Sequence, residues 1–189
     1  VARRLLVKAL KEWAPEFEKV VVVCIPGNHG ENRKNGKAFT NWGDNMDVSI
    51  FDHAQEILAE NKAFKHVSFV IPDNELYLTL DIDGVILGAA HGHQFRTGGK
   101  YSHQKAVAWL SGQAFGKTDA GDVDILLSGH YHHLFVINEG QRTLMQAPSV
   151  DGGSEWFESL SGKNSFSGTL TFTVKNQENK LPWDNMQVL

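Results

Sequence analysis

Three β-branched or apolar segments of this sequence each run directly into a short loop that contains glycine and histidine. The segments are 20–25, 85–90 and 124–127, and the loops are 26–30, 91–93 and 128–133. Ligands of α/β proteins bind beyond the carboxyl ends of strands, so parallel neighbouring strands would bring such loops to one edge of a sheet. Neutral imidazole is the commonest metal ligand in proteins. The pattern therefore predicts a metal site with four candidate ligands: Asn28, His91, His130 and His132.

The types and spacing of these residues indicate the kind of metal. His130 and His132 are separated by one residue, and in an extended segment both side chains would point to the same side. Asn28 adds a neutral carbonyl oxygen, which suits a hard or borderline cation such as Mn²⁺. Cys24 is the single cysteine, which excludes an internal disulfide and argues against a structural zinc site.

The remaining histidines are predicted to have other roles. His53, His66 and His103 do not follow a strand and are interpreted as surface or capping residues. His93 and His133 neighbour the candidate ligands, and they are predicted to face the substrate or to support a ligand rather than to bind metal.

Helices and strands alternate in the first half of the chain, and hairpins dominate the second half. Periodicity predicts helices over 3–13, 48–60 and 102–114, and a long polar loop over 30–47. Further strands are predicted over 66–71, 75–81, 134–138, 142–146 and 166–174, with hairpin turns at 83–84 and 139–140. This order predicts an α/β fold with helices outside two sheets.

Composition excludes several classes of protein. The hydrophobic fraction of 41% and the charged fraction of 21% are those of a globular domain, and no apolar segment is long enough to span a membrane. The net charge of −4 argues against bulk affinity for nucleic acid. With no visible signal peptide and one cysteine, the sequence predicts a cytoplasmic protein without a membrane partner.

The order of the three loops resembles the calcineurin-like metallophosphoesterase superfamily. Its signature runs Asp-x-His, Gly-Asp-x-x-Asp, Gly-Asn-His-(Asp/Glu), a lone His, and Gly-His-x-His. This chain has Gly-Asn-His at 27–29, then His91, then Gly-His-Tyr-His at 129–132. The resemblance implies a four-layer αββα sandwich of mixed sheets and a phosphoesterase with a dinuclear metal centre.

The resemblance also implies roles for the residues. Asn28, His91 and His130 would hold one metal ion, and His132 would hold the other. His29 would be the catalytic residue beside the phosphate, where it stabilises charge or protonates the leaving oxygen. The two ions are predicted to be Mn, with Fe, Zn, Ni or Mg as alternatives.

Two departures from the family pattern concern acidic residues. Gly30 stands where the family has Asp or Glu, and Glu31 or Asp47 are the candidates to replace that acid. Asp-x-His is absent, and the Gly-Asp-x-x-Asp match at 43–47 follows Gly-Asn-His instead of preceding it, so it is interpreted as a coincidental loop.

These departures predict that the first βαβ portion of the fold is missing from this chain. The predicted domains are an N-terminally incomplete metallophosphoesterase domain over 1–175 and a C-terminal extension over 176–189. One metal position would then have only His132, so the chain alone is expected to bind at most one ion well and to be a poor catalyst.

Basic residues beside the predicted site indicate a polyanionic substrate. Arg33, Lys34 and Arg96 are predicted to bind it by contacting phosphates, although an ordinary solvated loop is the alternative. Trp42 and Tyr101 are candidates to stack on bases or to pack.

A resemblance to phage and bacterial DNA-repair exonucleases favours a DNA nuclease. The alternatives are a catalytically silent scaffold on the same fold, and a phosphomonoesterase or nucleotidase. The predicted partners are a phosphodiester such as DNA, a second copy of the chain, or a nuclease or ATPase subunit.

Overall fold

The computed structural model describes residues 1–73, 75–151, 158–159, 166–178 and 180–189. These residues form two compact units, Val1–Leu76 and Tyr77–Leu189. Each unit combines helices with paired strands, and the larger sheet is mixed. The predicted α/β class with a mixed sheet is therefore confirmed.

The N-terminal unit has two α-helices that pack on one face of a pair of parallel strands. Its elements are α1 (Ala2–Trp13), β1 (Val20–Val23), β2 (Arg33–Lys34), β3 (Lys37–Ala38), α2 (Met46–Ala59) and β4 (Val67–Val70), with 3-10 turns at Ala14–Glu16 and Lys62–Phe64. Strands β1 and β4 pair in parallel, with Val20 opposite Val67. Leu10 of α1 and Leu58 of α2 are buried together with Phe64, which gives this unit its own apolar core.

The segment 30–47, which the sequence predicts to be a long polar loop, contains regular structure. Strands β2 and β3 form a hairpin within it, with Arg33 opposite Ala38. Asn35 and Gly36 connect them with φ angles of 52° and 77°. Positive φ at both central residues is the signature of a type I′ turn, which Asn-Gly favours.

The C-terminal unit is built on a five-stranded sheet with the strand order β5-β6-β7-β9-β8. Strands β6, β7 and β9 are mutually parallel, and each outer strand pairs with its neighbour in the antiparallel direction. Its elements are β5 (Tyr77–Ile82), β6 (Val85–Ala90), α3 (Ser102–Phe115), a 3-10 turn (Asp119–Asp122), β7 (Ile125–Ser128), β8 (Phe135–Glu139), β9 (Arg142–Gln146), β10 (Leu170–Val174) and β11 (Trp183–Val188).

The predicted hairpin between β5 and β6 is confirmed. Asp83 and Gly84 have φ angles of 53° and 81°, which again defines a type I′ turn. The turn places Ile82 opposite Val85 and sets the register of both strands. The second predicted hairpin, β8–β9, is also present, and Gly140 at its turn has a φ of 62°.

Both faces of this sheet are covered by apolar side chains. On one face, Leu126 and Leu144 pack in a buried cluster with Leu110 of α3 and with Phe95. Strands β6 and β7 are buried on both sides, which explains why their sequences read as continuous apolar segments rather than as alternating ones.

The other face of the sheet packs against the β10–β11 pair. Ile125 and Met145 are fully buried there, against a group that includes Phe172 and Trp183. Strand β11 lies inside 176–189, so the segment predicted to be an extension contains a strand that pairs antiparallel with β10. The domain boundary at 175 stays a prediction.

Within the part of the chain that the structure describes, no helix is both long enough and apolar enough to cross a membrane.

Candidate functional site

Strands β6 and β7 are parallel neighbours, and their C-terminal loops begin at the same level. Ala90 lies opposite Ser128, so His91 and Gly129 are the first residues beyond the paired strands. The backbone N–H of Gly129 donates to the carbonyl of His91, with an N–O distance of 3.0 Å. The prediction that these two loops lie side by side is therefore confirmed.

The third loop follows a strand of the other unit. β1 pairs with β4 and is not a strand of the five-stranded sheet, so the three segments are not neighbours in one sheet. Asn28 and His29 thus belong to the N-terminal unit, whereas His91, His130 and His132 belong to the C-terminal unit. That these residues act in one site stays a prediction.

Three imidazole rings cluster beyond β6 and β7. The ring centres of His91 and His130 are 5.1 Å apart, with an angle of 67° between the ring planes. His93 lies 5.4 Å from His91 and 6.2 Å from His130 by the same measure. That His93 faces the substrate or supports a ligand, rather than binding metal, stays a prediction.

Glycine allows the close approach of the two loops. Gly92 has a φ of 106°, and a Cβ at this position would lie 3.3 Å from the Cβ of His130. That contact is tight and the backbone conformation is one that side chains disfavour, so any other residue here would displace His130 or the loop.

The segment that carries His130 and His132 is not extended. Their φ angles are 67° and 56°, in the left-handed region that non-glycine residues rarely adopt. The N–H of Tyr131, between them, donates to the carbonyl of Gly129 at 2.8 Å. The alternation expected of an extended segment therefore does not apply, and the expectation that both side chains point the same way for that reason is wrong.

Several hydrogen bonds hold this strained segment in place. The hydroxyl of Tyr131 donates to the carbonyl of Phe95 at 3.0 Å, and burial raises the pKa of Tyr131, so the phenol stays a neutral donor. The side-chain amide of Gln146 donates to the carbonyl of His133 at 2.6 Å. Backbone strain at functional sites persists only where surrounding contacts enforce it, and these bonds supply that enforcement.

His133 contacts Ser102, a residue that the sequence did not single out, and its role as a ligand support or a substrate-facing group stays a prediction. Nε2 of His133 lies 2.8 Å from the hydroxyl of Ser102, and Nδ1 lies 2.9 Å from the carbonyl of Tyr131. Ser102 is the first residue of α3 and is almost fully buried. Its sequence neighbourhood has no motif, so only the fold could have identified this contact.

In the N-terminal unit, the loop 27–30 is held by the residues that begin α2. Asn45 caps this helix by accepting a hydrogen bond from the N–H of Asp47 at 2.8 Å. The amide of Asn45 donates to the carbonyl of Gly27 at 3.0 Å, and the N–H of Gly27 donates to the carboxylate of Asp47 at 2.9 Å. The Gly-Asp-x-x-Asp match at 43–47, interpreted as coincidental, thus supplies the contacts that fix this loop. The available signal was Asn-x-Asp before an apolar periodic segment, which marks a helix start.

Comparison with known proteins finds similarity to solved structures alone. No protein-family model matches the sequence, and no curated protein matches it. A predicted phosphoesterase from Streptococcus pneumoniae is similar over 90% of this chain and 74% of its own, with 12% identity and a TM-score of 0.44.

Two further structures are similar at comparable levels. Wild-type Vps29 from Entamoeba histolytica in complex with zinc has 16% identity over 84% of this chain and 86% of its own, with a TM-score of 0.44. An archaeal phosphodiesterase has 11% identity over 98% of this chain and 76% of its own, also with a TM-score of 0.44. All three have the calcineurin-like metallophosphoesterase fold.

The imidazole pair fits two ligand positions of one metal ion. An imidazole nitrogen binds a zinc-like ion at about 2.1 Å, so two imidazoles on one ion have ring centres about 5 Å apart. The separation of 5.1 Å between His91 and His130 is compatible with that geometry. Among the described residues, no group of three or more His, Cys, Asp or Glu side chains is arranged to hold a metal. That Asn28, His91, His130 and His132 bind metal stays a prediction for all four residues.

The residues predicted to bind substrate differ in their surroundings. Arg33 forms an ion pair with Glu31 at 3.0 Å, which reduces its availability for a phosphate. Lys34 is exposed on the β2–β3 hairpin, directly opposite Lys37. Arg96 is exposed beyond the histidine cluster.

The two aromatic candidates for base stacking also differ. The ring of Tyr101 stacks on His103, with centres 5.7 Å apart and planes 7° from parallel, so one face is already covered. Trp42 is partly exposed.

Two histidines that were interpreted as ordinary residues bind backbone carbonyls. His53 contacts the carbonyl of Ser49 at 2.7 Å, and His66 contacts that of Ala14 at 2.8 Å. Both contacts agree with a structural role.

Proposed function

We propose that this chain carries the site of a metal-dependent phosphodiesterase that acts on DNA. The observation that supports it most is the His91–His130 pair. The centres of these two imidazole rings are 5.1 Å apart, and the loops that carry them follow adjacent parallel strands at the same level. Ligand-binding groups collect at this edge of α/β sheets, and paired imidazoles there suit a divalent cation.

The proposed roles follow the order of the motifs. His91 and His130 hold one ion together with Asn28, and His132 contributes to a second. When bound, the two ions, most directly Mn, polarise the phosphate and lower the pKa of a bound water. His29 donates a proton to the leaving oxygen, and its exposed side chain suits a group that must reach the substrate. The roles of Asn28, His29 and His132 are taken from the family resemblance.

A basic hairpin supports a nucleic-acid substrate rather than a small phosphoester. Lys34 and Lys37 lie directly opposite each other on β2 and β3, both exposed. Like charges on directly opposite residues of two strands repel, so this lysine pair lowers the stability of the hairpin unless an anion lies near it. Successive phosphates of a DNA strand would supply that anion.

Metal content and turnover together test the proposed metal site. We expect purified protein to bind Mn²⁺ in titration calorimetry and to hydrolyse bis(p-nitrophenyl) phosphate more rapidly when Mn²⁺ is added. His130→Ala should lower the metal content. His29→Ala should leave it intact and reduce turnover by about 10²-fold or more. His53→Ala is the matched control, because His53 contacts only a helix carbonyl among its described bonds. Equal loss of metal in His29→Ala and His130→Ala would overturn the role assignment.

Charge removal tests the DNA part of the proposal. The double variant Lys34→Ala/Lys37→Ala should weaken binding to a DNA oligonucleotide. The slope of log Kd against log salt concentration should become shallower, because about two fewer counterions are released on binding. Lys62→Ala/Lys65→Ala removes the same charge from an exposed site in the same unit and should have little effect. Identical behaviour of the two double variants would reject the hairpin as a DNA contact.

Substrate comparison separates the alternatives. Faster hydrolysis of p-nitrophenyl phosphate than of the diester would favour a phosphomonoesterase or nucleotidase. Metal binding without hydrolysis of either would favour a scaffold on the same fold.

A further inference from the structure

We propose that Asp47 is a positioning residue for the loop 27–30, where the absence of a side chain at Gly30 leaves room for its carboxylate. This inference deepens the proposed function and rests on it, because that loop carries Asn28 and His29. The contacts that support it all lie within the N-terminal unit.

Side chains from the start of α2 bind the backbone of Gly27 from two directions. The N–H of Gly27 donates to Oδ2 of Asp47 at 2.9 Å, and its carbonyl accepts from the amide of Asn45 at 3.0 Å. A bond to an ionised acceptor is about twice as strong as one between neutral groups. The residue immediately before Asn28 is therefore fixed by Asp47 and Asn45.

Position 30 has no room for a side chain because Asp47 and Asn45 already fill that space. A Cβ on Gly30 would lie 2.8 Å from both Cγ and Oδ2 of Asp47 and 2.0 Å from Oδ1 of Asn45. Real Cβ atoms do not approach other atoms so closely, and Gly30 is itself buried. The glycine at 30 and the carboxylate of Asp47 are thus two parts of one arrangement. A chain with Asp or Glu at position 30 could not place Asp47 here.

Asp47 is itself held in a defined position. Its N–H donates to Oδ1 of Asn45 at 2.8 Å, and the next residue back, Met46, donates its N–H to the carbonyl of Gly30 at 2.7 Å. A carboxylate in the first turn of a helix is also stabilised by the helix dipole. The carboxylate is therefore anchored at its backbone and directed at Gly27.

Glu31, the other candidate for the missing acid, contacts a side chain rather than the backbone of Gly27. Its carboxylate forms an ion pair with Arg33 at 3.0 Å on the β2 side of the loop. The contact with Gly27 is made by Asp47.

Two substitutions distinguish positioning from a role in helix stability alone. Asp47→Ala removes the acceptor for the N–H of Gly27, whereas Asp47→Asn keeps an acceptor oxygen and removes only the charge. Asp52→Ala is the matched control, since Asp52 is an exposed carboxylate of the same helix.

Hydrogen exchange of the Gly27 amide is the direct measurement and needs neither metal nor substrate. We expect exchange at Gly27 to quicken about tenfold in Asp47→Ala, in line with the loss of one hydrogen bond to a charged acceptor. Asp47→Asn and Asp52→Ala should retain protection. Unchanged protection in Asp47→Ala, with the helix still folded by circular dichroism, would overturn the proposal.

Kinetics provides the second measurement. In Asp47→Ala we expect kcat for the diester to fall about tenfold to hundredfold while KM changes little, since a misplaced group costs the chemical step. Asp47→Asn should recover most of kcat. Loss of kcat in Asp47→Asn equal to that in Asp47→Ala, with Gly27 protection retained, would contradict positioning through this bond. If the unaltered protein hydrolyses no diester, the proposed function fails and the Gly27 measurement still decides the role of Asp47.

Discussion

The hydroxyl of Ser102 lies 2.8 Å from Nε2 of His133 and joins the start of α3 to the loop that carries His130 and His132. Nδ1 of His133 faces the carbonyl of Tyr131, which can only accept, so a neutral imidazole carries its proton on Nδ1. Nε2 is then the acceptor for the Ser102 hydroxyl. The loop is therefore tied to a helix by a hydrogen bond of defined direction.

Removing this bond should destabilise the protein measurably. Ser102→Ala deletes the donor and leaves Nε2 of the partly buried His133 without the Ser102 hydroxyl, so we expect a loss of about 1–2 kcal/mol in the free energy of unfolding. Ser111→Ala is the matched control, because Ser111 lies in the same helix at an exposed position and, among the described residues, its hydroxyl bonds the carbonyl of Val107 alone. Urea unfolding of both variants measures the difference. Equal stability of the two would show that the Ser102–His133 bond contributes nothing.

Helix α3 also offers a stabilising substitution. Gly112 is exposed within this helix, and a Cβ there would meet no atom within 4 Å. Gly112→Ala should raise the free energy of unfolding by about 0.5–1 kcal/mol, because glycine loses more backbone freedom than alanine on folding. Gly121→Ala should do the opposite, since its Cβ would lie 2.6 Å from the backbone of Ala114. Thermal melts of the two variants should move in opposite directions.

The thiol of Cys24 should be inert in the folded protein. Burial, with the nearby charges of Asp47 and Asp52, raises its pKa from 9.0 to about 12. The side chain is fully buried. The reactive species is the thiolate, so we expect no labelling by a thiol reagent at pH 8 in buffer and complete labelling in denaturant. Rapid labelling of the native protein would contradict this environment.

The same shift predicts a loss of stability at alkaline pH. Between about pH 9 and pH 12 the unfolded chain releases the Cys24 proton while the folded chain keeps it. The folded state then binds more protons, so its stability falls as pH rises through this window. Cys24→Ala removes this contribution, and its stability should decline less steeply than that of the unaltered protein. Parallel stability curves for the two proteins would contradict the shift.

Much of the C-terminal sheet could be predicted from the sequence because its signals are local. The segments 85–90 and 125–128 are apolar on both faces, and Asp83-Gly84 can adopt the positive φ angles of a tight turn. The strand-end histidines His91 and His130 follow directly from those assignments. Their proximity required only that β6 and β7 be parallel neighbours.

The features that could not be predicted from the sequence depend on contacts between residues that are far apart along the chain. Nothing in the apolar segment 20–23 indicates that β1 pairs with β4 rather than joining the larger sheet. The left-handed backbone of His130 and His132 is enforced by tertiary hydrogen bonds, against the local preference of histidine. The role of 43–47 requires knowing that Asp47 lies beside Gly30, 17 positions earlier in the chain.

Strand β11 escaped prediction because half of its residues, in the sequence Trp-Asp-Asn-Met-Gln-Val, are polar. Its contribution to stability can be tested at Trp183. The indole N–H donates to Oγ1 of the buried Thr143 at 3.0 Å, and the ring packs beside Ile125 and Met145. Trp183→Ala should therefore cost about 2–4 kcal/mol of unfolding free energy. Trp183→Phe keeps most of the apolar contact, loses only the hydrogen bond and should cost about 1 kcal/mol. Leu181→Ala, at a neighbouring residue that is about half exposed, is the control and should change little. If Trp183→Ala unfolds at the same urea concentration as the unaltered protein, residues 176–189 are a dispensable extension despite their pairing with β10.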